Sequence, residues 1–190
     1  MNNVERTGNY DESKLKIIKY GLTSLYLHIT KVIVTFSLAY FLGIFTSLLK
    51  LMAFYSILRL TAFGVHAKKS IHCWIASLIS FLLLPYLCEI LTIRFEIKII
   101  LLIMCVVLIA IYAPADTEKR PLIHKRKRLI YKILSIITTC IYTISIFFIK
   151  SNILSNCIMF ATLLGTIIIL PVTYKLFGVS YNNYKNYKKE

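Results

Sequence analysis

Five long stretches of this chain carry no charged side chain: residues 32–49, 70–88, 99–115, 133–149 and 151–174. A helix needs roughly 20 apolar residues to cross a hydrocarbon core of about 30 Å, so runs of this kind decide the fold class before any motif does. Within such a core every backbone N–H and C=O must be bonded inside its own segment, which leaves α-helices as the way to use these runs. A sixth run, 51–65, is shorter and carries Arg59. The composition agrees: of 190 residues 58% are hydrophobic and only 16% charged, with mean hydropathy +0.72, which excludes an ordinary water-soluble domain. The expectation is an all-α polytopic membrane protein with about six transmembrane helices, one of them short, preceded by an amphipathic interfacial helix.

Basic residues orient the spans. Arg6, Lys14, Lys16, Lys19 and Lys31 precede the first run, and Lys119, Arg120, Lys125, Arg126, Lys127 and Arg128 follow the run 99–115. Clusters of Lys and Arg stay on the cytoplasmic side, so an even number of crossings must separate the two, and 51–65 must cross as well. Of 23 Lys and Arg, this threading leaves only Lys50, Arg94, Lys98 and Lys150 outside. Both termini and the segment 66–73 then face the cytoplasm of a bacterial cell. The rival drawing makes 51–65 a re-entrant segment that does not cross.

Residues 1–31 differ from the rest. Leu15, Ile18, Leu22, Leu25 and Ile29 recur at spacings of three and four, the stripe of a helix lying in the interface, with Lys14, Lys16 and Lys19 meeting anionic lipid. Charges throughout this stretch speak against a cleavable leader. Residues 32–174 form the bundle and 175–190 a basic tail with Tyr181, Tyr184 and Tyr187, all within one membrane domain, 1–190. The net charge of +15 raises the question of nucleic acid, yet the basic residues ring a membrane protein and anionic lipid accounts for them; no nucleic-acid partner is expected. No Gly-rich phosphate loop or zinc-ligand spacing occurs, so neither cofactor nor metal is expected. Pro85 and Pro171 need no more than a kink or a helix end.

Chemistry, if there is any, belongs to Gly64-Val65-His66-Ala67-Lys68-Lys69-Ser70-Ile71-His72-Cys73-Trp74, a polar patch between two apolar runs. Cys88, Cys105, Cys140 and Cys157 sit inside apolar runs and read as small buried hydrophobes. Cys73 has His66, His72, Lys68 and Lys69 close by, and nearby cations raise the thiolate fraction that makes a cysteine nucleophilic. On one straight helix, seven residues would hold His66 and Cys73 about 10.5 Å apart along the axis, whereas proton transfer needs roughly 3 Å. The backbone must break between them. Gly64 and Ser70 are the breakpoints, with Ser70 able to cap a helix starting near residue 71 that puts Cys73 in its first turn. His72 projects about 100° away on a helix and is the weaker base. A catalytic pair and two interfacial histidines beside an idle thiol both remain open on these residues alone.

Arg59-Leu60-Thr61-Ala62-Phe63-Gly64-Val65-His66-Ala67 with Cys73 at plus seven, together with Tyr112-Ala113-Pro114-Ala115-Asp116-Thr117-Glu118 and Pro121, resembles the AgrB family of bacterial quorum-sensing peptide processors over essentially the whole chain. A single glycine precedes the histidine here, where many members carry two. The resemblance implies a membrane cysteine endopeptidase acting on a small AgrD-like precursor peptide, with Cys73 and His66 as the catalytic pair. An acyl-enzyme thioester would form, and a cysteine of the precursor would displace Cys73 to close a thiolactone. The resemblance also suggests a homodimer.

Other groups have two readings each. Arg59 in a span either shapes the site, bonding a precursor carbonyl or carboxylate, or snorkels. Asp116 either orients His66 or caps the turn after Pro114. Lys119, Arg120, Lys125, Arg126, Lys127 and Arg128 anchor the topology and offer a docking surface for an acidic precursor segment. The competing function is a small transporter or channel component in which His66 and Arg59 line a pathway; a thiol-dependent acyltransferase shares the nucleophile but transfers fatty acyl groups.

Overall fold

A computed structural model describes residues 12–65, 70–117 and 122–186. Among them the chain forms α1 (Glu12–Phe41), α2 (Phe45–Ala62), α3 (Ser70–Ile90), α4 (Phe95–Tyr112), α5 (Lys125–Phe148), α6 (Asn152–Ile167), the short α7 (Pro171–Leu176) and a 3-10 turn, Asn183–Asn186. Among the described residues four stretches are long and apolar enough to cross a membrane: Gly21–Phe41, Phe45–Ala62, Phe95–Tyr112 and Lys125–Phe148; Trp74–Ile90 and Asn152–Ile167 are shorter apolar helices. This is an all-α polytopic membrane architecture.

The shortest of the bundle helices is the most enclosed. α6 packs against α2, α3, α4 and α5, and its buried residues include Ser155, Ala161, Thr162, Gly165 and Thr166. Small residues let helix backbones approach where lipid supplies no hydrophobic drive to associate. A Cβ on Gly165 would stand 2.7 Å from Leu58 Cδ2 of α2. Buried hydroxyls bond back to the preceding turn, Thr162 Oγ1 to Ile158 O at 2.7 Å and Thr166 Oγ1 to Thr162 O at 2.8 Å, so neither hydroxyl is left bare in an apolar setting. Leu58, Leu102, Ile109, Ile158 and Ile169 fill the core, and Tyr142 reaches in to donate to Phe54 O at 3.0 Å. Leu22, Leu25, Ile33, Ile103, Val107, Ile137, Ile141 and Phe148 point outward, a surface suited to lipid rather than water.

Element boundaries depart from the apolar runs where backbone chemistry intervenes. The lead-in and the first span are one helix, because α1 has no break at Lys31; the ammonium that marked that boundary donates to Ser77 Oγ of α3 at 3.2 Å. The run 32–49 is instead divided at Gly43, whose φ of 71° turns the chain between α1 and α2. The run 151–174 is divided too: α6 stops at Ile167, and Pro171 opens α7 at its first position, where its missing N–H costs nothing. Pro85 lies inside α3. α5 begins at Lys125, so most of the second basic cluster is helical. Residues 175–186 are not a free tail: Tyr181 packs edge-on against Tyr174 with centroids 5.1 Å apart, and Asn183 is buried.

Candidate functional site

Three helices end at one place and satisfy each other there. α2 stops at Ala62, and the chain turns through Phe63 and Gly64, with φ of 59° and 114°. Gly64 N–H donates to Ala115 O at 2.9 Å, Ala115 N–H donates to Ala62 O at 3.0 Å, and Val65 N–H donates to Ile168 O at 3.0 Å. A helix end leaves several backbone groups unpaired, so the ends of α2, α4 and α6 close one another's orphan bonds. Glycine is required at 64 twice over: the φ is one that side chains rarely adopt, and a Cβ would stand 2.9 Å from Ile168 O and closer still to the Arg59 guanidinium.

Arg59 organises this turn. Its Nη1 donates to Phe63 O at 2.5 Å and its Nη2 to Val65 O at 2.9 Å, while Phe63 N–H donates back to Arg59 O at 3.2 Å. The carbonyls it holds are therefore those of its own chain, one and three residues beyond its helix. Tyr174, wholly buried, donates its hydroxyl to Ala115 O and Asp116 O, each at 3.0 Å.

Asp116 is 2% exposed, and its Oδ2 accepts from Tyr184 N–H at 2.8 Å and from Leu122 N–H at 3.4 Å. The carboxylate thus ties the C-terminal segment and the start of the basic loop to the end of α4. Among the described residues its Oδ1 has no hydrogen-bond partner. Lys125, Arg126 and Lys127 are exposed on the first turn of α5. Arg128 parts company with them: its guanidinium stacks 3.3 Å from the Tyr184 ring centre, and it lines a cavity of about 450 Å³ with Lys132, Tyr112 and Tyr181. Burial pushes the Tyr181 hydroxyl above the usual phenol range, so it stays protonated at neutral pH.

The predicted nucleophile, Cys73, lies on the first turn of α3, whose first residue is Ser70. His66, Lys119 and Arg120 fall outside the described residues. Cys88, Cys105 and Cys157 are buried free thiols and Cys140 is half-buried. Among the described residues no group of three or more His, Cys, Asp or Glu could hold a metal ion. Sequence reasoning missed Tyr174 and Tyr184, which hold Asp116 and its neighbours. The signal was there in the close recurrence of tyrosines just past Pro171, but interfacial anchoring explains such tyrosines equally well.

Comparison with known proteins gives one consistent result. The accessory gene regulator B family matches residues 1–169. A putative AgrB-like protein of Clostridium acetobutylicum is 30% identical over 172 residues, 90% of this chain and 82% of that protein. A putative AgrB-like protein of Listeria innocua is 30% identical over 184 residues, 97% of this chain and 90% of its own. Accessory gene regulator protein B of Staphylococcus aureus strain JH9 is 32% identical over 128 residues, 66% of this chain and 68% of that protein. No solved structure matches. With a match across nearly all of its length, the chain belongs to the accessory gene regulator B family.

Proposed function

We propose that this protein is a membrane cysteine endopeptidase of the agr quorum-sensing system, which cuts a small AgrD-like precursor peptide and promotes its closure to a thiolactone. Family membership supports the setting. The observation that supports the chemistry is the end of α2 just before the motif: α2 stops at Ala62, the chain turns at Phe63 and Gly64, and Cys73 is carried by α3. α2 therefore ends before position 66, and position 73 belongs to a different helix, α3. Cys73 also lies on the first turn of α3, and the positive end of a helix favours a thiolate.

In this reading the Cys73 thiolate adds to a precursor carbonyl carbon and His66 holds the thiol proton. Collapse of the tetrahedral intermediate breaks the C–N bond, His66 protonates the departing amine, and an acyl-enzyme thioester remains. A thiol of the precursor then gives its proton to His66 and attacks the thioester carbonyl, the C–S bond to Cys73 breaks, and Cys73 leaves as the thiolate. One thioester replaces another, so this step is close to an even exchange. Water would divert the intermediate to a linear acid, so the reaction benefits from a site enclosed by helix ends.

Arg59 acts by shaping the turn before His66, and Asp116 by fixing the loop beside it. Lys125, Arg126 and Lys127 occupy the amino end of α5, where cations oppose the helix dipole and no acidic residue of the first turn offsets them. That local cost supports a role outside helix stability, namely contact with anionic lipid and with an acidic precursor segment at the cytoplasmic face.

Co-expression with the precursor tests the reading by product mass. The wild type should release a peptide one water lighter than the linear fragment and opened by hydroxylamine. Cys73→Ala and His66→Ala should give neither cyclic nor cut product while still inserting in the membrane. Cleavage that survives Cys73→Ala would overturn the proposal.

A further inference from the structure

At the opposite end of the bundle from Gly64 lies a buried cation that peptide cleavage does not use, and we infer that it receives the phosphate of an anionic phospholipid headgroup. Lys98, on the first turn of α4, is 3% exposed. Its ammonium donates to Ser155 Oγ at 2.6 Å, Asn152 Oδ1 at 2.7 Å and Asn152 O at 3.5 Å. All three acceptors are neutral. The acidic side chains of this end are engaged elsewhere, Glu96 in an exposed pair with Arg94 at 3.5 Å and Glu89 accepting from Ser47. Two close hydrogen bonds and one long contact at 3.5 Å hold the ammonium, but they do not neutralise its charge, and a buried charge without a counterion is costly.

The surroundings compound the imbalance. Asn152 is the first residue of the 16-residue α6, so the ammonium stands at the positive end of that helix, where an anion belongs. Lys150, exposed, borders the same open cleft of about 170 Å³. Two cations and a helix terminus thus converge on a space that holds one small anion.

The cleft's other walls identify what carries that anion. Phe95, Ile146 and Ile149 line it, and the Phe95 ring packs on Phe147 with centroids 5.2 Å apart. Apolar surface continues from the mouth along exposed Ile97, Ile100 and Phe148. The cleft also lies where α4 begins, α5 ends and α6 begins, the level of a spanning bundle at which lipid phosphates stand. A phosphodiester with acyl chains satisfies both the charge and the greasy rim, whereas free phosphate satisfies only the first. The site is remote from Cys73, and its loss leaves the peptidase reading standing.

The test uses the full chain in dodecyl maltoside. Dioleoyl phosphatidylglycerol, dioleoyl phosphatidylcholine and inorganic phosphate are added separately, and melting temperature is read beside lipid retention by native mass spectrometry. Phosphatidylglycerol should raise the melting temperature and one molecule should be retained, with phosphatidylcholine and phosphate well behind. Lys150→Gln should weaken retention about fivefold, the worth of one lysine near an anionic lipid, and Lys98→Gln should abolish it. Arg94→Gln, an exposed cation of the same end, should change nothing. If Lys98→Gln does not fold, Lys150→Gln decides. Equal retention by the wild type and Lys150→Gln would overturn the proposal, as would an equal response to inorganic phosphate.

Discussion

The two ends of the bundle are held together by different kinds of bond. At the Gly64 end the ties run from main chain to main chain, Gly64 to Ala115 and Val65 to Ile168, with Arg59, Asp116 and Tyr174 gripping further backbone groups. At the Lys98 end side chains do the joining: Asn152 and Asn156 donate to Leu91 O at the end of α3 at 3.0 and 2.8 Å, and Ser47 donates to Glu89. Backbone ties depend on φ and ψ, so they set a conformation that few substitutions preserve. Side-chain caps can be exchanged for water or for another polar group. The contrast teaches where this molecule needs a fixed geometry, and that end is the one from which the chain enters the His66 to Cys73 segment.

Breaking the comparison at its strongest point means putting a side chain on Gly64. Gly64→Val should cost about 3 kcal/mol or more, since strain at a left-handed position adds to the collision with Ile168 O. The expected readout is loss of the monodisperse peak in detergent chromatography. Gly43→Ala is the matched control: φ is also positive, at 71°, but nothing lies within 4 Å of the new Cβ, and the cost should be about 1 kcal/mol.

Asp116→Ala leaves the buried N–H of Leu122 and that of Tyr184 without their acceptor, and should destabilise by about 2 kcal/mol. Asp116→Asn keeps an acceptor oxygen and should recover part of that in a thermal melt. Tyr174→Phe removes one hydroxyl shared between two carbonyls and should cost about 1 kcal/mol by the same measurement. The smallest effect belongs to the other end: Ser47→Ala frees Glu89, which is already exposed, and should stay within about 0.5 kcal/mol. Should Ser47→Ala prove as harmful as Tyr174→Phe, the distinction between the ends would fail.

Much of this was legible in advance, and the failures have common causes. Apolar run length located α3 and α4 closely, and the helix expected from near residue 71 behind a cap at Ser70 is α3, which takes in Ser70 itself. The same counting overran Gly43 and Pro171, because a window of hydropathy weighs side chains and ignores φ or a missing N–H. Lys31 misled in the opposite sense: a charge was taken as a boundary, whereas Ser77 on another helix accepts from it. For the site, Gly64 stood out because only a backbone break could serve the motif. Tyr174 and Ile168 did not, since their partners lie more than 50 residues away in the chain and no local pattern encodes such pairings. Arg128 looked like its exposed neighbours until the fold set it against Tyr184.

The central claim is that Cys73 is a thiolate-forming nucleophile served by His66, and its reactivity toward iodoacetamide tests this most directly. Intact protein in detergent is treated at neutral pH and each cysteine's rate is read by peptide mass mapping. The account predicts that Cys73 alkylates far faster than Cys88, Cys105, Cys140 or Cys157, and that His66→Ala slows it markedly while leaving the others unchanged. A Cys73 that reacts no faster than an ordinary exposed thiol, at a rate indifferent to His66→Ala, would contradict it.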